Sequence, residues 1–160
     1  MSPSKHDYYL DIAEKVAMRS TCLRRMYGAV IVKDDEIIST GYNGAPRGWV
    51  NCLDIGCKRI ELNIPSGERY ELCRAVHAEA NAIISAKRSD MIKSKLYLSC
   101  LISTNKERRQ EAPKPCAMCK RLILNAGIDE IISRDSEGKI TRIKTMHWED
   151  DGFVKTNMCS

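Results

Sequence analysis

The chain has 160 residues, 43% of them hydrophobic and 29% charged, with a formal net charge of +5. That length suits one domain with a substantial core and leaves little room for a second, so a single domain over residues 1–160 is expected. No apolar run approaches the ~20 residues a membrane-spanning helix needs, and the polar stretch from Met1 to Tyr9 lacks the apolar centre of a secretory signal. The expectation is a cytoplasmic protein with no membrane partner. The positive charge suits an anionic small molecule, although ordinary surface charge explains it equally well. Aromatic residues at 6%, with one Phe and two Trp, give a nucleic-acid partner little support.

In chain order, Tyr9, Leu10, Ile12, Ala13, Val16 and Ala17 recur close to the helical period, which predicts an amphipathic helix over 8–18. Cys22 and the basic pair Arg24-Arg25 follow. Ala29 to Val32 and Ile37 to Thr40, separated by Lys33-Asp34-Asp35, read as a β-hairpin. The second strand runs into Gly41-Tyr42-Asn43-Gly44-Ala45-Pro46-Arg47-Gly48. Such a loop lets backbone approach a ligand closely, and as a bare pattern it is equally a turn. Residues 49–73 form an irregular insert carrying Cys52, Cys57 and Cys73, and a stretch of that length is functional or held by something. A helix opens near His77 and continues to Ala86, apolar on several faces and expected to be buried. A strand follows over 95–100, then a charged surface excursion over 101–114. A helix starts at Cys116, with Leu122, Ile123 and Leu124 as its core face and Gly127 as a left-handed cap. Strands over 128–133 and 139–143 and a short helix or loose tail over 148–160 complete the chain. Strands alternating with two buried helices argue for an α/β layered sheet.

Two short motifs carry the chemistry. Cys116 and Cys119 lie about 60° apart on the first turn of a helix opened by Pro115, so they can share one ion. His77 and Glu79 lie roughly 200° apart on a helix and converge only at its very start. Both motifs ask for a site where two helix N-termini meet, which also favours thiolates and a carboxylate. One imidazole and two thiolates leave the fourth position of zinc open, the mark of a catalytic rather than a structural site. A structural zinc knuckle or a redox Cys-x-x-Cys is the competing reading, and neither accounts for Glu79 or Pro115.

His-x-Glu together with Pro-Cys-x-x-Cys resembles the signature of the zinc nucleobase deaminases. Over roughly residues 8–134 the chain is similar to the deoxycytidylate (dCMP) deaminase family of the cytidine deaminase superfamily. The resemblance is carried by Gly28-Ala29-Val30-Ile31-Val32, Gly41-Tyr42-Asn43-Gly44-Ala45-Pro46, His77-Ala78-Glu79-Ala80-Asn81-Ala82-Ile83 and Pro115-Cys116-Ala117-Met118-Cys119. It implies a three-layer α/β sandwich, a central five-stranded mixed sheet flanked by helices. It also implies one catalytic zinc on His77, Cys116 and Cys119, and hydrolysis of dCMP to dUMP and ammonia. In that reaction a zinc-activated hydroxide attacks C4 of the base while Glu79 shuttles protons. Asn43 would hold the sugar hydroxyl, with Ala78 and Arg47 as further substrate contacts, Arg47 reaching the 5′-phosphate as a forked donor.

Family members often carry a second zinc, built partly from histidine. No histidine lies between His6 and His77 here, so the candidate second site is a structural Cys₄ of Cys22, Cys52, Cys57 and Cys73. The alternative is a set of buried reduced thiols, the state also expected of Cys100 and Cys159. Relatives are often hexamers and some respond to dCTP and dTTP, so a homo-oligomer and those effectors are implied partners. Lys106, Arg108, Arg109 and Lys114 form an effector or phosphate site, or simply a charged surface. Two other functions compete: a deaminase of cytidine or CMP, cytosine, guanine or tRNA adenosine, and a non-catalytic zinc-stabilised binding module.

Overall fold

The computed structural model describes residues 1–151, arranged around one five-stranded sheet. In chain order the elements are α1 (Lys5–Ala17), β1 (Arg25–Lys33), β2 (Glu36–Tyr42), α2 (Cys52–Ile55), α3 (Lys58–Glu61) and a 3-10 turn (Tyr70–Leu72). Then come α4 (Ala78–Ile84), α5 (Arg88–Met91), β3 (Lys95–Ile102), α6 (Ala117–Ala126), β4 (Glu130–Arg134), β5 (Ile140–Lys144) and a 3-10 helix (Thr145–Asp151). The strand order is β2-β1-β3-β4-β5. Only β3 and β4 run parallel, joined across the sheet face by α6, so the sheet is mixed as expected.

The β1–β2 hairpin closes through Asp34 and Asp35, with φ of 51° and 62°. Positive φ at both central positions is what a two-residue turn matching the strand twist requires. Along β1 the side chains then alternate between two cores. Val30 and Val32 pack with Tyr9, Leu10 and Ala13 of α1, while Ala29 and Ile31 pack with Ala78 and Ala82 of α4 and Cys119 and Ile123 of α6. This alternation separates the layers, α1 on one face of the sheet and α4 and α6 on the other.

Two glycines set how closely those helices approach. A Cβ built on Gly28 would lie 2.0 Å from the Ala13 carbonyl oxygen, and one on Gly41 would lie 2.4 Å from both the Ala78 oxygen and the Ala82 nitrogen. Gly41 pairs with Ala29, the residue next to Gly28. The helices on opposite faces therefore rest almost directly on the backbone of one β1–β2 segment. The helix start bearing His77 is fixed against the sheet by this contact.

Several elements depart from the sequence reading. Pro115 stands one residue before the N-cap of α6, a position taken by Cys116. The helix after His77 is shorter than expected, and Ile84 near its end is 70% exposed. The tail expected from Trp148 begins inside the 3-10 helix with Trp148 buried in the core. Its continuation from residue 152, Cys159 included, lies outside the described residues.

Replacing Gly41 by Ala forces α4 away from β2. The expected loss is about 2 kcal/mol or more, read as a calorimetric Tm lower by roughly 4–8 °C.

Candidate active site

His77 is the N-cap of α4 and Cys116 the N-cap of α6. The N-cap side chain folds back over the first turn of its helix, which sets Cys116 beside Cys119 at the third helical position. His77 Nδ1 lies 3.5 Å from Cys116 Sγ and 3.5 Å from Cys119 Sγ. The three donor atoms fall within 4.8 Å of one another, and they form the one such group among the described residues. Tetrahedral zinc, with bonds of about 2.0–2.1 Å to nitrogen and about 2.3 Å to sulfur, separates two such ligands by roughly 3.5 Å. The donor set fits that ion in type and spacing.

Several bonds hold His77 in place. Gly44 and Val76 exchange backbone hydrogen bonds, N–H to O at 3.2 and 2.8 Å, tying the loop after β2 to the residue before His77. Asn81 Nδ2 donates to the Tyr42 carbonyl at 2.8 Å and locks the first turn of α4 to the end of β2. The Tyr70 ring meets the imidazole edge-on at 5.0 Å.

Glu79 is 4% exposed. Burial pushes its carboxyl above the usual range, against the opposing pull of its own backbone N–H and of His77. The Cys116 thiol is drawn down to about 4, chiefly by the hydrogen bond from Cys119 and further by His77. Cys119 rises because its proton is held against the Cys116 sulfur. His77 is raised chiefly by its hydrogen bond with Cys116. A low-lying thiolate is what a soft metal requires, and a buried carboxyl tuned upward suits proton transfer near neutral pH.

These groups open into a cleft with about 690 Å³ of empty space, counting its open mouth. Its walls include Asn43, Tyr27, Ala78, Tyr70, Arg24, Arg25, Arg59 and Lys114. Asn43 and Ala78 thus line the cleft. Asn43 already works for the fold: its Oδ1 accepts from Tyr27 N–H at 2.8 Å and Ser20 Oγ at 2.6 Å, and its Nδ2 donates to Arg25 O at 2.9 Å. One amide hydrogen remains for a ligand. Arg47 is exposed and does not line the cleft. Of the cations that do line it, Lys114 belongs to the group offered by sequence as an effector or phosphate site, while Arg24, Arg25 and Arg59 were given no such role. Arg24-Arg25 follow the sheet pairing of β1 with the end of β3, which no local pattern reveals, and Arg59 sits on a single helical turn of the insert.

Cys52 is the first residue of α2 and Cys57 the N-cap of α3. Burial raises the Cys52 thiol, and the nearby sulfurs of Cys57, Cys22 and Cys73 add to the rise. Three thiols thus lie near Cys52, although no three of the four sulfurs come within 4.8 Å of one another.

Residues 3–134 match the cytidine and deoxycytidylate deaminase zinc-binding region. The chain belongs to that deaminase family. Within it, the chain is 37% identical over 134 residues to the deoxycytidylate deaminase of Mycobacterium phage D29, covering 81% of this chain and 94% of the relative. It is 34% identical over 134 residues to the deoxycytidylate deaminase of Schizosaccharomyces pombe, covering 84% of this chain but only 38% of that longer protein. Among solved deaminase structures, the dCMP deaminase of cyanophage S-TIM5 superposes with a TM-score of 0.55 at 26% identity, covering 82% of each chain. No helix of the described residues is long and apolar enough to cross a membrane.

Proposed function

We propose that the protein hydrolyses dCMP to dUMP and ammonia. The observation that carries this is the convergence of His77 Nδ1 and the Cys116 and Cys119 sulfurs beside the buried Glu79. The phage D29 relative, matched over nearly its whole length, supports the deoxynucleotide as substrate. His77, Cys116 and Cys119 would hold the zinc, which when bound would supply an activated water to add its oxygen to C4. Glu79, buried beside that donor set, would take up the proton released. It passes protons to N3 of the pyrimidine and then to the departing amine. The C4–N4 bond breaks, a C4 carbonyl forms, and ammonia leaves. Burial of Glu79 keeps bulk water from short-circuiting the transfer. Tyr27 and the Ala78 backbone wall the base, and Asn43 offers its remaining amide hydrogen to the sugar.

A panel of dCMP, CMP, deoxycytidine, cytosine and a tRNA anticodon stem, assayed for ammonia release with zinc supplied, tests this reading. Turnover of dCMP well above the others is expected. Glu79→Gln should retain zinc while losing roughly 10³-fold or more in turnover, on the scale of general acid–base contributions. Retained turnover in that variant would favour a zinc-stabilised binding module.

The reading also includes a second, structural zinc on Cys22, Cys52, Cys57 and Cys73. Its support is that Cys57, Cys22 and Cys73 all lie near enough to raise the Cys52 thiol, on an insert made of single helical turns. Cys57→Ala is expected to cut zinc from two ions per chain toward one and to lower Tm; unchanged zinc content and Tm would remove the site. Assembly into a homo-oligomer in the cytoplasm, with dCTP and dTTP as effectors, belongs to the same reading. The exposed Met118 and Leu122 of α6 and Ile84 of α4 are surfaces that such an assembly would cover.

A further inference from the structure

Of the three donors at the helix starts, the imidazole is the hardest to aim. Each cysteine sulfur is placed by one torsion, at the cap and in the first turn of a single helix. The His77 ring turns about a second torsion with two broad minima half a turn apart. One of them points Nδ1 at the sulfurs, and the other puts a ring carbon in its place. The Gly44–Val76 bridge fixes where the ring is attached and not how it is turned. His77 makes no side-chain capping bond to α4, and among the described residues its hydrogen bonds run to the two sulfurs alone. A metal-binding histidine is usually oriented by a hydrogen bond from its other ring nitrogen to a carboxylate, a carbonyl or water. No carboxylate or carbonyl of the described residues does that for His77.

The group that meets the ring is Tyr70. The two ring centres are 5.0 Å apart and their planes cross at 87°, the edge-to-face arrangement aromatic pairs favour. Tyr70 is itself held. The Arg59 guanidinium lies over its ring, 4.7 Å from the centre, and buried Arg59 donates from Nη2 to the Pro65 carbonyl at 2.8 Å. Arg69, just before Tyr70, has φ of 51° and ψ of 48°, a left-handed conformation uncommon for a residue with a side chain. Backbone of that kind persists where surrounding contacts over-determine it. Arg69 is the N-cap of the 3-10 turn Tyr70–Leu72 that carries the ring to His77, and Cys73 N–H bonds back to the Tyr70 carbonyl at 2.9 Å. A continuous line of contacts thus runs from Pro65 through Arg59 and Tyr70 to the metal ligand.

We infer that Tyr70 is the positioning residue of His77: its ring, held under Arg59, selects the imidazole orientation that aims Nδ1 at the two sulfurs. The insert, and not the sheet alone, thereby sets the metal affinity of the helix-start site. The inference rests on the metal centre of the deaminase reading and is independent of the substrate. It needs the flat ring of Tyr70, because the contact with His77 is ring to ring.

The test measures zinc affinity by chelator competition, and the Co(II) absorption spectrum, on the full chain and its Tyr70 variants. Cys116→Ala serves as the blank for metal bound elsewhere. Tyr70→Leu should weaken zinc at the helix-start site by about 10–100-fold, the scale of losing a partner that orients a metal-bound histidine, and should shift the Co(II) bands. Tyr70→Phe should keep the bands and stay within about threefold of the unaltered affinity, since it retains the edge-to-face pair. Tyr70→Met carries the same comparison where Tyr70→Leu fails to fold. Unchanged zinc affinity and bands in Tyr70→Leu would overturn the positioning role, even with a lower Tm. Equal losses in Tyr70→Phe and Tyr70→Leu would also overturn it, by assigning the effect to the hydroxyl. An unaltered protein whose Co(II) spectrum matches the Cys116→Ala blank would remove the metal centre itself, and the deaminase reading with it.

Discussion

Two helix starts brought face to face at one edge of the sheet govern this structure. One nitrogen cannot sit 3.5 Å from each of two sulfurs unless the N-termini of α4 and α6 are both pinned to better than a side chain's reach. The pins are backbone contacts. Gly41 lets α4 rest on β2, the Gly44–Val76 bridge fixes the approach to His77, and the parallel β3–β4 pair sets the crossover that carries α6 back across the face. The same helix starts supply the electrostatics. Unpaired N–H groups and the positive dipole ends lower the cost of holding a thiolate and a carboxylate in a half-buried place. Metal affinity and helix placement are therefore one property: whatever loosens α4 from the sheet also spreads the ligand set.

One cleft holds both signs of charge. Glu79 is buried in it, its carboxyl pushed upward by desolvation. Arg24, Arg25, Arg59 and Lys114 line the same cleft and make its walls net positive. Across the sheet a different device operates. Arg134 at the end of β4 bonds Asp7 at 3.1 Å, Glu14 at 3.0 Å and also Asp11, three acids on one face of α1. That cluster fastens α1, on the layer opposite the site, to the end of β4.

How far this was legible depends on whether a feature is local. The hairpin was legible because two short apolar runs flank a two-aspartate turn, and the cap at Gly127 because only a left-handed residue ends a helix that way, with φ of 80°. The convergence of His77, Cys116 and Cys119 was legible from spacing. The exposure of Ile84 was not, since an alanine-rich helix gives little amphipathic contrast. Single-turn helices such as α2, α3 and α5 are too short to display a period. Arg59 was invisible for a related reason: in sequence it is one arginine among the apolar and charged residues of an insert. Only its burial and its seat on Tyr70 separate it from Arg47, which lies beside the loop that carries the family resemblance and yet faces solvent.

The most direct test of the account is anomalous diffraction at the zinc edge from crystals of the full chain. The account predicts a peak bonded at once to His77 Nδ1, Cys116 Sγ and Cys119 Sγ, with Glu79 beside it and not coordinated. Anomalous density confined to the cysteines of the insert, with none at the helix starts, would contradict it.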